Sequence, residues 1–139
     1  LAQHNQTPLA NAGIDVDHCK ETKDRYGNEA GDEVPKSLCS YSQSLLRETV
    51  LFARIGGEEF AILMPNTSLN GALHLAERLR RVTANSKLTF HNEEIDLHIS
   101  IGVTRLKQSD ASVEDCLRRA DLALYRAKQN GRNRVEAAA

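Results

Sequence analysis

The chain has 139 residues, enough for one domain of ordinary size with its own core. Lys and Arg number 18 against 19 Asp and Glu, a net charge of −1 that lacks the basic excess usual in a nucleic-acid binder. An apolar content of 40% suits a globular fold rather than a disordered chain, and three Phe, three Tyr and no Trp leave the core mostly aliphatic.

Residues 1–8 are polar and weakly patterned and read as the tail of a helix and a loop. The chain opens on Leu1 rather than Met, so 1–139 reads as a single domain truncated at its N-terminus. Leu9 to Val16 is a candidate strand, weakened by Asn11 and Gly13, which pack poorly inside sheets. A short helix is expected from about Lys20 to Tyr26. The run Tyr26 to Asp32 carries two glycines and reads as a turn. Asp32 is then placed to cap a helix reaching about Arg47, with Pro35 inside its first turn.

Leu51–Arg54 and Glu59–Met64 read as the strands of a hairpin turning at Ile55-Gly56-Gly57-Glu58. Leu69, Ala72, Leu73, Ala76, Leu79 and Val82 follow a helical period from Leu69 to about Ala84. Ile95, Leu97, Ile99 and Ile101 alternate with Asp96, His98 and Ser100, as in a strand with one wet face. Val113, Cys116, Leu117, Ala120, Leu124 and Ala127 mark a last long helix, with Ser112 as N-cap and Gly131 as stop. A short strand near Val135 closes the order. The simplest arrangement is α/β (α+β): a central, mostly antiparallel five-stranded sheet flanked by helices.

Cys19, Cys39 and Cys116 are odd in number and widely spaced, which argues for a reducing, cytoplasmic setting without disulfides or zinc. Cys39 and Cys116 fall on apolar stripes and read as core residues. His4, His74, His91 and His98 lack metal-ligand spacing. No run approaches the roughly 18 apolar residues of a membrane span.

Asp15-Val16-Asp17 stands where a strand meets a loop, and alone reads more readily as a solvated strand end than as a ligand. Gly56-Gly57-Glu58-Glu59 is more suggestive: two glycines allow close backbone approach, and two acids follow. Carboxylates and backbone oxygens suit Mg²⁺, which shares its other positions with water and phosphate. Lys128 and Arg132 supply positive charge suited to phosphate, or simply complement a helix C-terminus.

Asp15-Val16-Asp17-His18, Tyr26-Gly27, Gly31-Asp32, Arg54 through Phe60, Ser100-Ile101-Gly102-Val103, and Ala120-Asp121 through Gly131-Arg132-Asn133 match one family in order and spacing. From Leu9 onward the chain resembles the GGDEF domains, the diguanylate cyclases. The resemblance implies a nucleotide-cyclase-like fold with a ferredoxin-like core, binding GTP and Mg²⁺ or Mn²⁺. Two domains, as a homodimer, would join two GTP into cyclic di-GMP. It implies Asp15, the Val16 carbonyl, Glu58 and Glu59 as metal ligands, with Glu58 also activating the attacking hydroxyl. Gly56, Gly57, Cys19, Lys23 and Asp32 would face the nucleotide, Asp32 at the guanine edge, with Lys128 and Arg132 on the phosphates. Arg47, Val50 and Arg78 correspond to an inhibitory product site whose acidic member is replaced by Val50.

Several positions depart from the family pattern. Asn is usual at Lys23, His at Asn28 and Phe at Cys19, and aliphatic residues at Thr22 and Pro35. An N-terminal L-T-x-L-x-N-R-type stretch is missing. Lys offers donors only and could pair with Asp32 instead of reading guanine. These departures support a second reading, a degenerate or engineered domain that binds GTP or a protein partner without turnover.

Overall fold

The computed structural model describes residues 7–45, 50–56 and 58–139. Its elements run β1 (Leu9–Val16), α1 (Cys19–Tyr26), α2 (Asn28–Leu45), β2 (Leu51–Gly56), β3 (Glu59–Pro65), α3 (Leu69–Asn85), β4 (Leu88–Phe90), β5 (Glu93–Ile95), β6 (Ile99–Arg105), α4 (Val113–Gln129) and β7 (Val135–Ala137). Five strands form one sheet in the order β2-β3-β1-β6-β7, and β4-β5 is a separate hairpin. Every pairing in the large sheet is antiparallel except β6 with β7. The expected mostly antiparallel five-stranded sheet is therefore present. No helix among the described residues is long and apolar enough to cross a membrane.

The two sheet faces differ in chemistry, and that difference sets which helix covers each. Cross-strand partners share a face. Ala12 with Ile62 and Val103, and Ile14 with Phe60 and Ile101, build an aliphatic face. Leu75, Ala76 and Leu79 of α3 pack against it. The opposite face is small and polar: Asn11, Gly13 and Asp15 lie beside Thr104, Gly102 and Ser100. Here α4 comes so close that a Cβ on Gly102 would lie 2.1 Å from the Leu124 backbone nitrogen. Asn11 and Gly13, which weaken the strand by propensity, are both buried on this face.

Several sequence expectations need correction. The segment Tyr26–Asp32 is not an extended turn. Gly27 alone, at φ 94°, separates α1 from α2, and α2 begins at Asn28. Asp32 is thus inside α2 rather than its cap, and Pro35 lies past the first turn, leaving the Gly31 carbonyl without its helical donor. Residues 46–49, where that helix was expected to end, lie outside the described residues. The alternation from Ile95 to Ile101 spans two elements: Ile95 ends β5, and β6 starts at Ile99. His91 and Asn92, both at positive φ, make the tight turn between β4 and β5. β6 has no wet face over Ser100–Thr104, because α4 covers the side opposite α3. Ser112 is the N-cap residue of α4 but makes no side-chain cap bond; Asp115 instead accepts from the Ala111 N–H at 2.8 Å.

Candidate functional site

β1 delivers its acidic end to one rim of the sheet. Asp15 stands opposite Glu59 on β3 and Ser100 on β6. The chain leaves the sheet by donating from Val16 N to the Glu58 carbonyl (3.1 Å) and from Asp17 N to the His98 carbonyl (2.9 Å). His18, at φ 55°, then turns it into α1. These bonds hold Asp15, Val16 and Glu58 side by side at an open cleft of about 270 Å³. Cys19, Lys128 and Arg132 also line it. That volume suits part of a ligand, such as its phosphates, rather than a whole nucleotide.

The charges in the cleft are opposed and close. Lys128 Nζ contacts Asp15 Oδ2, while Asp15 Oδ1 is buried with no hydrogen-bond partner. Burial pushes the Asp15 carboxyl above its usual range, against the opposing pull of Lys128 and helped by the Glu58 and Asp17 charges. Glu59 is raised by burial and then by Asp121 and Asp15. Cys19 is raised by burial and by Glu58, against the pull of Lys23. An orphaned buried carboxylate oxygen with a second acid in the same cleft fits a hard divalent cation. Among the described residues no three His, Cys, Asp or Glu side chains gather as a metal cage. The fit is therefore to an ion that draws further oxygens from its ligand, as Mg²⁺ does.

The sequence-predicted residues divide clearly. Asp15, Val16, Glu58, Cys19, Lys128 and Arg132 meet in the cleft. Glu59 sits next to Asp15 in register but does not line it. Lys23 and Asp32 are exposed on α1 and α2. No Lys23–Asp32 ion pair is found; the aliphatic stem of Lys23 lies across Gly31, 2.5 Å from where a Cβ would stand. Gly56 faces open space. Val50 is half-buried against the core, and Arg78 is exposed on α3. Gly57 and Arg47 lie outside the described residues.

Sequence reasoning gave Asp17 no separate role. It is buried and bridges two elements, accepting from Ser100 Oγ at 2.6 Å and from Asn133 N at 2.8 Å. Its position two residues after Asp15 was visible; its partners, 83 and 116 residues away, were not.

A mostly antiparallel sheet flanked by helices, whose central strand ends in acids at a cleft that also holds a lysine and an arginine, defines a mixed α/β domain. The family model described as "Diguanylate cyclase, GGDEF domain" matches residues 1–134, and the chain belongs to that family. A diguanylate cyclase of Vibrio cholerae is 40% identical over 133 residues, which are 96% of this chain and 41% of that protein. The chain thus spans about two fifths of that relative's length. Among solved structures, the active GGEEF domain of a Vibrio cholerae diguanylate cyclase superposes with TM-score 0.92 at 38% identity, covering 98% of this chain and 86% of the other. The GGDEF domain of DgcB from Caulobacter crescentus, in complex with c-di-GMP, superposes with TM-score 0.93 at 32% identity, covering 98% and 81%.

Proposed function

We propose that this domain condenses two GTP into cyclic di-GMP with release of pyrophosphate, in the cytoplasm, as a metal-dependent homodimer. The observation that carries the reading is Asp15: one oxygen on Lys128, the other buried and unmet, at a cleft shared with Glu58 and Arg132. Asp15, the Val16 carbonyl and Glu58, with Glu59 as an additional ligand, would hold Mg²⁺ or Mn²⁺. When bound, that ion supplies charge neutralisation at the phosphates and acidifies the attacking hydroxyl.

The chain's own residues do the rest. In each half of the reaction a 3′-oxygen bonds to the α-phosphorus of the facing GTP, and the bond from that phosphorus to pyrophosphate breaks. Glu58 takes the hydroxyl proton. Repeating the step closes the ring and releases the second pyrophosphate. Lys128 and Arg132 offset charge on the polyphosphate, so positioning and electrostatics carry most of the rate. Asp32 accepts from guanine N–H groups, while Gly56 and Gly57 allow the nucleotide close to the hairpin and Cys19 and Lys23 complete the nucleotide's walls. One domain holds one GTP, so turnover needs a second copy opposite.

The test is product formation from GTP and Mg²⁺ over a range of protein concentrations. The rate per domain should rise with concentration, and Glu58→Gln should lower it by about 10²–10⁴-fold without loss of fold. Undiminished Mg²⁺-dependent turnover by that variant would sink the assignment. Lys23, with donors only where the family has Asn, supports a second reading, a degenerate domain that holds GTP or a protein partner without turnover. Nucleotide binding without product at any concentration would select it.

A further inference from the structure

The turn after α4 brings Arg132 to the cleft in a conformation that side-chain-bearing residues rarely adopt. Gly131, Arg132 and Asn133 have φ values of 124°, 64° and 46°. In this region a Cβ crowds the neighbouring carbonyl, so such a turn keeps its shape only where its surroundings over-determine it. The helix end itself contributes, with Arg132 N donating to the Ala127 carbonyl at 2.9 Å and Arg134 Nε to the Arg132 carbonyl at 3.1 Å. Two further contacts reach the turn from other elements, on opposite sides. From the sheet, the Asp17 carboxylate accepts from Asn133 N at 2.8 Å. From α3, Arg80 Nη1 donates to Asn133 Oδ1 at 2.9 Å, across 53 residues of sequence.

Arg80 is itself held in place. Its Nε and Nη2 donate to the two carboxylate oxygens of Glu77, at 2.8 and 2.7 Å. Arg81 Nε adds a further bond to Glu77 at 2.9 Å. With only 18% of its side chain exposed, Arg80 presents Nη1 to the turn as a fixed arm. Lysine has no planar fork and cannot grip Glu77 and Asn133 in this way. Arg80 does not line the cleft, so any effect on a ligand there passes through Asn133.

We propose that Arg80 is a positioning residue: by gripping Asn133 it fixes the 131–133 turn, and with it the approach of Arg132 to a polyphosphate in the cleft. The inference rests on the nucleotide reading of that cleft, whereas the grip on the turn can be judged without any ligand.

Two substitutions separate these levels. Arg80→Lys keeps the charge and removes the fork; Asn133→Gly removes the acceptor and tolerates the left-handed backbone. Each should raise the KM for GTP about tenfold with little change in kcat, within the range of contacts that act at one remove. The double variant should be no worse than the worse single, because both remove one contact. Hydrogen exchange without nucleotide should show the Asn133 amide losing protection in Arg80→Lys. Unchanged protection overturns the grip whatever the activity. A lowered Tm with unchanged KM, or additive effects in the double variant, overturns the role in binding. A wild-type domain that neither binds nor turns over GTP sinks the nucleotide reading itself, and with it that role.

Discussion

Gly13 and Gly102 face each other across β1 and β6, yet they should respond oppositely to one added methyl group. A Cβ on Gly102 would lie 2.1 Å from Leu124 N, 2.3 Å from Ala120 O and 2.7 Å from Ala123 C, all backbone atoms of α4. Ordinary contact begins at 3.4 Å, so Gly102→Ala forces helix and strand apart by about 1.3 Å. Gaps of 0.5–1 Å already forfeit about a quarter to a half of a dispersion contact. The contacts at risk are those of Cys116, Ala120, Ala123, Leu124 and Ala127, all buried on α4. Overpacking against backbone, which has no alternative rotamer, should cost about 3 kcal/mol or slightly more. Removing a strand glycine returns about 0.5–1 kcal/mol. At roughly 3–5 °C per kcal/mol for a domain of this size, Tm should fall by about 10 °C. Gly13→Ala is the internal control, since its Cβ would meet only Asp121 Oδ1 and Leu124 Cδ2, each at 3.7 Å. That variant should be neutral or slightly stabilised. Urea unfolding of both decides the matter: equal effects, or a Gly102→Ala change under about 1 kcal/mol, would refute the close approach of α4.

Two further outcomes are expected. Arg119 donates to both Asp110 oxygens at 2.7 and 2.9 Å and holds that carboxyl at about 2, below the usual 3.8. A depressed carboxyl stabilises the fold fully above its unfolded value and loses that contribution as pH falls from 3.8 towards 2. Arg119→Ala should therefore lower stability at neutral pH by about 1 kcal/mol and flatten the acid limb, because Asp110 loses its fork but keeps the Lys107 N–H at 2.8 Å; an unchanged acid limb in urea titrations would contradict this. Lys23→Asn should strengthen GTP binding about ten- to a hundredfold and sharpen its preference over ATP, since Asn both donates and accepts. Titration of each nucleotide with turnover blocked measures it, and tight, selective binding by the unmodified chain would show Lys23 to be harmless.

Local signals determined much of this protein. Leu9–Val16, the last long helix and the hairpin at Gly56 were legible because period, turn residues and helix stops act within a few positions. The family motifs likewise marked Asp15, Glu58, Lys128 and Arg132, which the fold brings to one cleft. Where local rules compete, the sequence misled. Two glycines and a proline between Tyr26 and Pro35 read as a turn and a late helix start, whereas α2 tolerates Gly31 and Pro35 because Ala30, Val34 and Leu38 bury against the core. Asn11 and Gly13 argued against a strand by propensity, yet both pair in β1, where tertiary packing outweighs propensity; the close passage of α4 is decided at Gly102, opposite Gly13. Only the tertiary structure could join Asp17 to Ser100 and Asn133, or Arg80 to Asn133. Those bonds cross 53 to 116 residues, and no period or local propensity reaches that far; they exist because the sheet order and the packing of α3 and α4 bring distant segments to the same rim.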